Sequence, residues 1–69
     1  MTFGQIIRSR RNSKGFSQRY VSTKTKIPQT TLSDWETDKS LPNVVEAYKI
    51  ASALGCSLNA LVKDLSPTG

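Results

Sequence analysis

The chain has no histidine and a single cysteine among its 69 residues. So few ligands exclude a zinc site of the usual kind, and one thiol cannot close an internal disulfide. No apolar run approaches the ~20 residues of a membrane span, and the amino terminus carries no signal-peptide h-region. Glycine stands only at positions 4, 15, 55 and 69, too scattered for a phosphate-cradling G-x-x-x-x-G-K loop. The sequence shows neither a Cys–His pair nor two carboxylates on one predicted helix face. These absences argue against an enzyme, and no cofactor, metal or small-molecule substrate is expected. The lone Cys56 and the missing signal segment point to a reducing, cytoplasmic setting without a membrane partner.

Hydrophobic residues make up 36% of the chain, enough for a folded core and too many for a disordered tail. The length allows one core. Such a core supplies roughly 3–5 kcal/mol unless something staples it, so the expected staples are close helix packing or an oligomer. The charge is unevenly spread. Residues 1–26 hold Arg8, Arg10, Arg11, Lys14, Arg19, Lys24 and Lys26 and no acid, which is +7. Residues 27–69 hold Lys39, Lys49 and Lys63 against Asp34, Glu36, Asp38, Glu46 and Asp64, which is −2. A basic half of this kind suits a polyanion.

The hydrophobic period is helical throughout. Phe3, Ile6 and Ile7 fall at i, i+3, i+4, so residues 2–13 read as an amphipathic helix with Thr2 a candidate N-cap and Gly15 a stop. Ser17 reads as the N-cap of a second helix over 18–24, with Phe16 placed to pack back on it. Pro28 suits a helix start, and a third helix is predicted over 29–37 with Leu32 and Trp35 inward. Residues 38–42 read as a loop. Asn43 caps a fourth helix with Val44, Ala47, Ala51 and Leu54 on one face, flanked by Tyr48 and Ile50; Gly55 ends it. Ser57 caps a last helix containing Leu58, Leu61 and Val62 and extending towards Leu65. Residues 1–65 are expected to form the domain and 66–69 a flexible tail. No strand alternation occurs, so the fold class is all-α with five helices.

Residues 18–37 carry a denser signal. With Gln18 as position 1, Val21, Ile27, Leu32 and Trp35 occupy positions 4, 10, 15 and 18, and the small Ser22 occupies position 5. Two short helices crossing at about 90–120° over one core need this spacing.

At this point the chain resembles the lambda-repressor/Cro-like helix-turn-helix domains, also called the Cro/CI or XRE family. The resemblance rests on Arg11, Phe16-Ser17-Gln18, Val21-Ser22, Ile27-Pro28-Gln29, Thr31-Leu32-Ser33, Trp35-Glu36, Pro42 and the run from Ile50 to Leu58, and covers about residues 3–62. It implies a five-helix domain whose third helix enters the DNA major groove. Gln29 and Thr30 would then reach base edges, with Ser33 and Asp34 one turn further along the same face. Gln can pair bidentately with adenine, and Asp34 can accept from a cytosine amine. Ser17, Gln18, Arg8, Arg11, Lys14, Lys26, Lys39 and Asn43 would serve the DNA backbone. Arg11 and Glu36 match a family ion pair, and Leu58, Asn59 and Val62 match its dimer contact. Trp35 and Cys56 read as core. Many small members of the family are phage or mobile-element repressors.

Three departures from the family pattern stand out. The usual turn glycine is Lys26, which is strained by roughly 1 kcal/mol if its φ is positive. The usual alanine of the second helix is Ser22, whose hydroxyl needs a partner. The third helix and its exit carry Asp34 and Asp38, and no base before Lys39. Two functions therefore stand open. One is a sequence-specific transcriptional regulator bound as a homodimer to a double-stranded operator. The other is a protein-binding modulator on the same fold, such as an antirepressor that pairs with a repressor, suggested by those acids.

Overall fold

The computed structural model describes residues 1–63. Thr2 starts the first helix as expected. Its hydroxyl accepts from the Gln5 amide at 3.2 Å, and the Gln5 side chain accepts from the Thr2 N–H at 2.9 Å, closing a capping box over α1 (Phe3–Ser13). Ser17 caps α2 (Gln18–Thr25) by accepting from the Tyr20 amide. Pro28 stands at the N-cap of α3 (Gln29–Glu36), so no side chain caps that helix. Asn43 and Glu46 form a second capping box at α4 (Val44–Ala53), and α5 spans Leu58–Lys63. No strand occurs among the described residues. The expected extension of α5 to Leu65 and the 66–69 tail lie outside them.

The core gathers one stripe from each helix: Ile6 and Ile7, Val21, Leu32 and Trp35, Ile50, Ala51 and Leu54, and Leu61, with Ile27 from the α2–α3 connection. Trp35 is 2% exposed, so it is a packing residue. Cys56 is half-buried against the same core, its thiol directed at the Ala51 carbonyl at 3.6 Å.

The face assigned to α4 needs a correction. Its buried stripe is Ala47, Ile50, Ala51 and Leu54, whereas Val44 is 74% exposed and Tyr48 64%. At about 100° per residue, Val44 lies roughly 70° from the centre of that stripe. Val62 on α5 is also exposed, while Leu61 is fully buried.

The connection between α2 and α3 resolves the two local departures. Lys26 adopts φ 62°, ψ 24° and donates its N–H to the Ser22 carbonyl at 2.8 Å, which makes it a left-handed helix terminus without glycine. The Ser22 hydroxyl donates to the Ile27 carbonyl at 2.5 Å, so the polar substitute for alanine is satisfied inside the turn. Lys26→Gly removes the left-handed penalty of roughly 1 kcal/mol but adds freedom to the unfolded chain. A net gain of about 0.5 kcal/mol is expected, read as a rise of a few degrees in thermal midpoint. A fall in midpoint would contradict this account of the turn.

Candidate nucleic-acid interface

The outer face of α3 is defined by what its inner face buries. Leu32, Trp35 and Glu36 point inward. Gln29 and Thr30 are exposed, and Ser33 and Asp34 half-buried. The four lie at i, i+1, i+4 and i+5, so they form one ridge. The first turn of α3 has no side-chain cap, which leaves backbone N–H groups at the end where Gln29 and Thr30 project.

A buried polar cluster holds this ridge against the first two helices. The Arg11 Nε donates to Glu36 Oε2 at 2.7 Å and its Nη2 to Oε1 at 3.0 Å. Its Nη1 donates to the Phe16 carbonyl at 2.8 Å, and Gln18 Nε2 donates to Glu36 Oε1 at 3.1 Å. Glu36 is 7% exposed and all its side-chain partners come from elsewhere: α1 and the start of α2. The bidentate guanidinium–carboxylate geometry is the strong form of such a pair. The expected Arg11–Glu36 pair is thus present. Gln18, expected at a phosphate, also spends an amide hydrogen here.

The remaining expected residues fall in different settings. Arg8, Lys14, Ser17, Lys26, Lys39 and Asn43 are all exposed. Lys14 at the C-terminus of α1 places its ammonium beside Gly55, within 3.2 Å of where a Cβ on that glycine would stand. The Asn43 side-chain oxygen accepts from the Glu46 amide at 2.8 Å, leaving its NH₂ group available to an acceptor. Phe16, just ahead of the α2 cap, packs on the core and lies 4.5 Å from the Tyr20 ring, centroid to centroid. Leu58 is half-buried, and Asn59 and Val62 are exposed.

One role escapes sequence reasoning altogether. Asp38 adopts φ 62° and turns back onto the start of α1. Its Oδ1 accepts from the Gly4 N–H at 3.1 Å and its Oδ2 from the Thr2 hydroxyl at 2.7 Å. The carboxylate therefore serves an N-terminal helix end, where negative charge is favoured. The two residues are 34 positions apart from Gly4 to Asp38, and no local pattern announces the contact.

No helix among the described residues is long and apolar enough to cross a membrane, and no group of His, Cys, Asp and Glu among them could hold a metal ion.

The chain is similar in fold and sequence to proteins of known structure. The DNA-binding domain of the P22 c2 repressor (1–76) superposes with a TM-score of 0.89 at 30% identity, over 100% of this chain and 92% of that one. The master regulator for biofilm formation SinR, solved in complex with DNA, matches with a TM-score of 0.83 at 26% identity, over 88% and 98%. The restriction-modification controller protein C.AhdI from Aeromonas hydrophila matches with a TM-score of 0.82 at 27% identity, over 86% and 89%. No curated protein sequence matches significantly. The similar structures are of regulators, and the chain is not an enzyme. The helix-turn-helix family model HTH_3 matches residues 7–61, and with that match covering most of its length the chain belongs to the helix-turn-helix family.

Proposed function

We propose that this DNA-binding transcriptional regulator reads a double-stranded operator by laying α3 in the major groove. The observation that carries the reading is the two-sided character of α3: Leu32, Trp35 and Glu36 are buried, while Gln29 and Thr30 lead an outer ridge continued by Ser33 and Asp34. An α-helix fits the major groove, and its first turn points most directly at base edges. Gln29 would pair with a base, Thr30 would offer its methyl or hydroxyl, and Asp34 would accept from a cytosine amine. Arg8, Lys14, Ser17, Gln18, Lys26, Lys39 and Asn43 would hold the backbone, with the uncapped start of α3 adding N–H donors to phosphate. Arg11 serves the scaffold first, since all three of its guanidinium nitrogens have partners. The similar P22 c2 repressor has been solved with a synthetic operator and SinR with DNA, which supports the same use here. The domain would act in the cytoplasm as a homodimer through the exposed Asn59 and Val62 beside Leu58, on half-sites roughly 34 Å apart.

Binding is tested by gel shift and footprinting against a pool of genomic fragments from the source of the chain. A protected two-fold-symmetric site is expected. Uniform, sequence-independent binding would sink the reading. Within that site, Gln29→Ala is expected to reduce discrimination at one base pair by about tenfold, within the 1–3 kcal/mol of a good bidentate contact. Equal weakening on every sequence would show that Gln29 does not read a base.

The protein-modulator reading rests on the acids Asp34 and Asp38. Asp38 is engaged at the start of α1, which leaves Asp34 to motivate a partner at α3. A different surface suits a protein partner better.

A further inference from the structure

The outer side of α4 carries a stripe that the DNA-reading face does not use. Val44 and Val45, Tyr48 and Lys49, and Ser52 recur at i, i+1, i+4, i+5 and i+8, so they share one face. Val44 is 74% exposed, Val45 63% and Tyr48 64%. Leu41, just ahead of the helix, is 70% exposed. The stripe runs into an open groove of about 400 Å³ between α4 and the C-terminal end of α2, lined by Lys24, Thr25, Lys26, Tyr48, Lys49, Ser52 and Ala53. Soluble domains rarely leave such an apolar stretch rimmed by polar groups without an interaction to serve.

We propose that this surface docks an acidic, amphipathic segment of a partner protein. The apolar side of the segment would lie on Val44, Val45 and Tyr48, and its carboxylates would meet Lys24 and Lys49. Charge chooses the occupant. Three lysines and no acid line the groove. The carbonyl ends of α2 and α4 contribute only partial negative charge there. A second copy of the chain would set lysines against lysines, and like charges in register are disfavoured. A phosphodiester backbone would satisfy the lysines but leave the valines and Tyr48 against a charged, hydrated strand. An acidic helix with apolar residues at i, i+3 and i+4 satisfies both halves, as helix-in-groove recognition does elsewhere. The groove opens at the end of α2 away from Ser17, about 10 Å along the helix by its 1.5 Å rise per residue. The docking surface does not depend on the operator reading.

The test uses isotopically labelled protein and a synthetic peptide of about 15 residues, long enough to form a helix on binding. The peptide carries leucine and phenylalanine at helical spacing and glutamate elsewhere; a control replaces the glutamates by lysine. Saturable shifts are expected at Lys24, Val45, Tyr48, Lys49 and Ser52 with the acidic peptide and none with the basic one. The double variant Lys24→Glu, Lys49→Glu should bind at least tenfold more weakly, and Val45→Ser should also weaken binding. These side chains are exposed, and circular dichroism checks that each variant folds. Operator binding in the same variants, read by gel shift, reports separately on the function proposed above. The docking proposal is overturned by any of four results: no saturable binding at millimolar peptide, shifts centred on Gln29 and Ser17, concentration-dependent shifts at the stripe without peptide, or equal occupancy of the stripe by random duplex DNA.

Discussion

Replacing Arg11 by alanine is expected to leave most of the protein unfolded at room temperature. The side chain of Glu36 is 5% exposed, and Arg11 supplies two of the three hydrogen bonds its carboxylate receives from other side chains. Without the guanidinium, the charge keeps only the Gln18 amide. Removing one partner of a buried ion pair costs about 3–5 kcal/mol, because the other charge is left uncompensated. The Phe16 carbonyl also loses its donor. Against a stability of roughly 3–5 kcal/mol for a scaffold of this size, that loss is decisive. Urea denaturation followed by circular dichroism measures it. A destabilisation below about 1 kcal/mol would mean that the pair behaves like a surface salt bridge. The double replacement Arg11→Met, Glu36→Leu separates charge from packing. It is expected to recover much of the lost stability, since apolar residues of similar volume often replace a buried pair without loss. The double variant should still bind DNA if Arg11 acts as scaffold, and should lose affinity on all sequences alike if Arg11 also holds a phosphate.

The second large effect is expected from Gly4→Ala. In an exposed helix interior this change stabilises by about 1 kcal/mol through helix propensity. Gly4 sits in the first turn of α1, but it is buried where that helix crosses the end of α3. A Cβ there would press into the Trp35 carbonyl oxygen and stand 2.8 Å from both the Glu36 carbonyl oxygen and Asp38 Oδ1. Two of these three neighbours are backbone and cannot rotate away. The shift needed would also pull Asp38 from the Gly4 N–H. A net destabilisation of about 3 kcal/mol is expected, at the upper end for overpacking. Gly15→Ala is the natural comparison. That glycine has φ 74° and nothing within 4 Å of the added Cβ, so its cost is the left-handed penalty of roughly 1 kcal/mol alone. Equal effects at the two sites would show that the close approach at Gly4 relaxes freely.

The contrast between these glycines shows where local reading stops. Gly15 and Gly55 announce themselves, because each follows a helical period and takes a positive φ that glycine tolerates. Thr2, Ser17 and Asn43 are likewise legible, since a capping side chain reaches only to an amide three residues on. The buried set follows from the 3.6-residue period at Ile6 and Ile7, Val21, Leu32 and Trp35. The same period misplaces Val44, because the apolar spacing of α4 fits more than one stripe, and only the packing of neighbouring helices selects the one centred on Ala47, Ile50, Ala51 and Leu54. Asp38 reads as a charge at the exit of α3, and only the return of that exit to the start of α1 makes it a cap. The ridge of Gln29, Thr30, Ser33 and Asp34 stands in the sequence once the inward positions of α3 are known.

By itself, then, the sequence determined five helices, their caps, most of the core and the helix-turn-helix spacing, because those rest on interactions spanning a few residues. Tertiary structure alone decided that Gly4 must lack a side chain, that Asp38 belongs to α1, that Gln18 joins Arg11 and Glu36, and that Lys24 and Lys49 share a groove with Tyr48. Each of these depends on where two helices cross, and the crossing is set by how all the apolar stripes pack together at once.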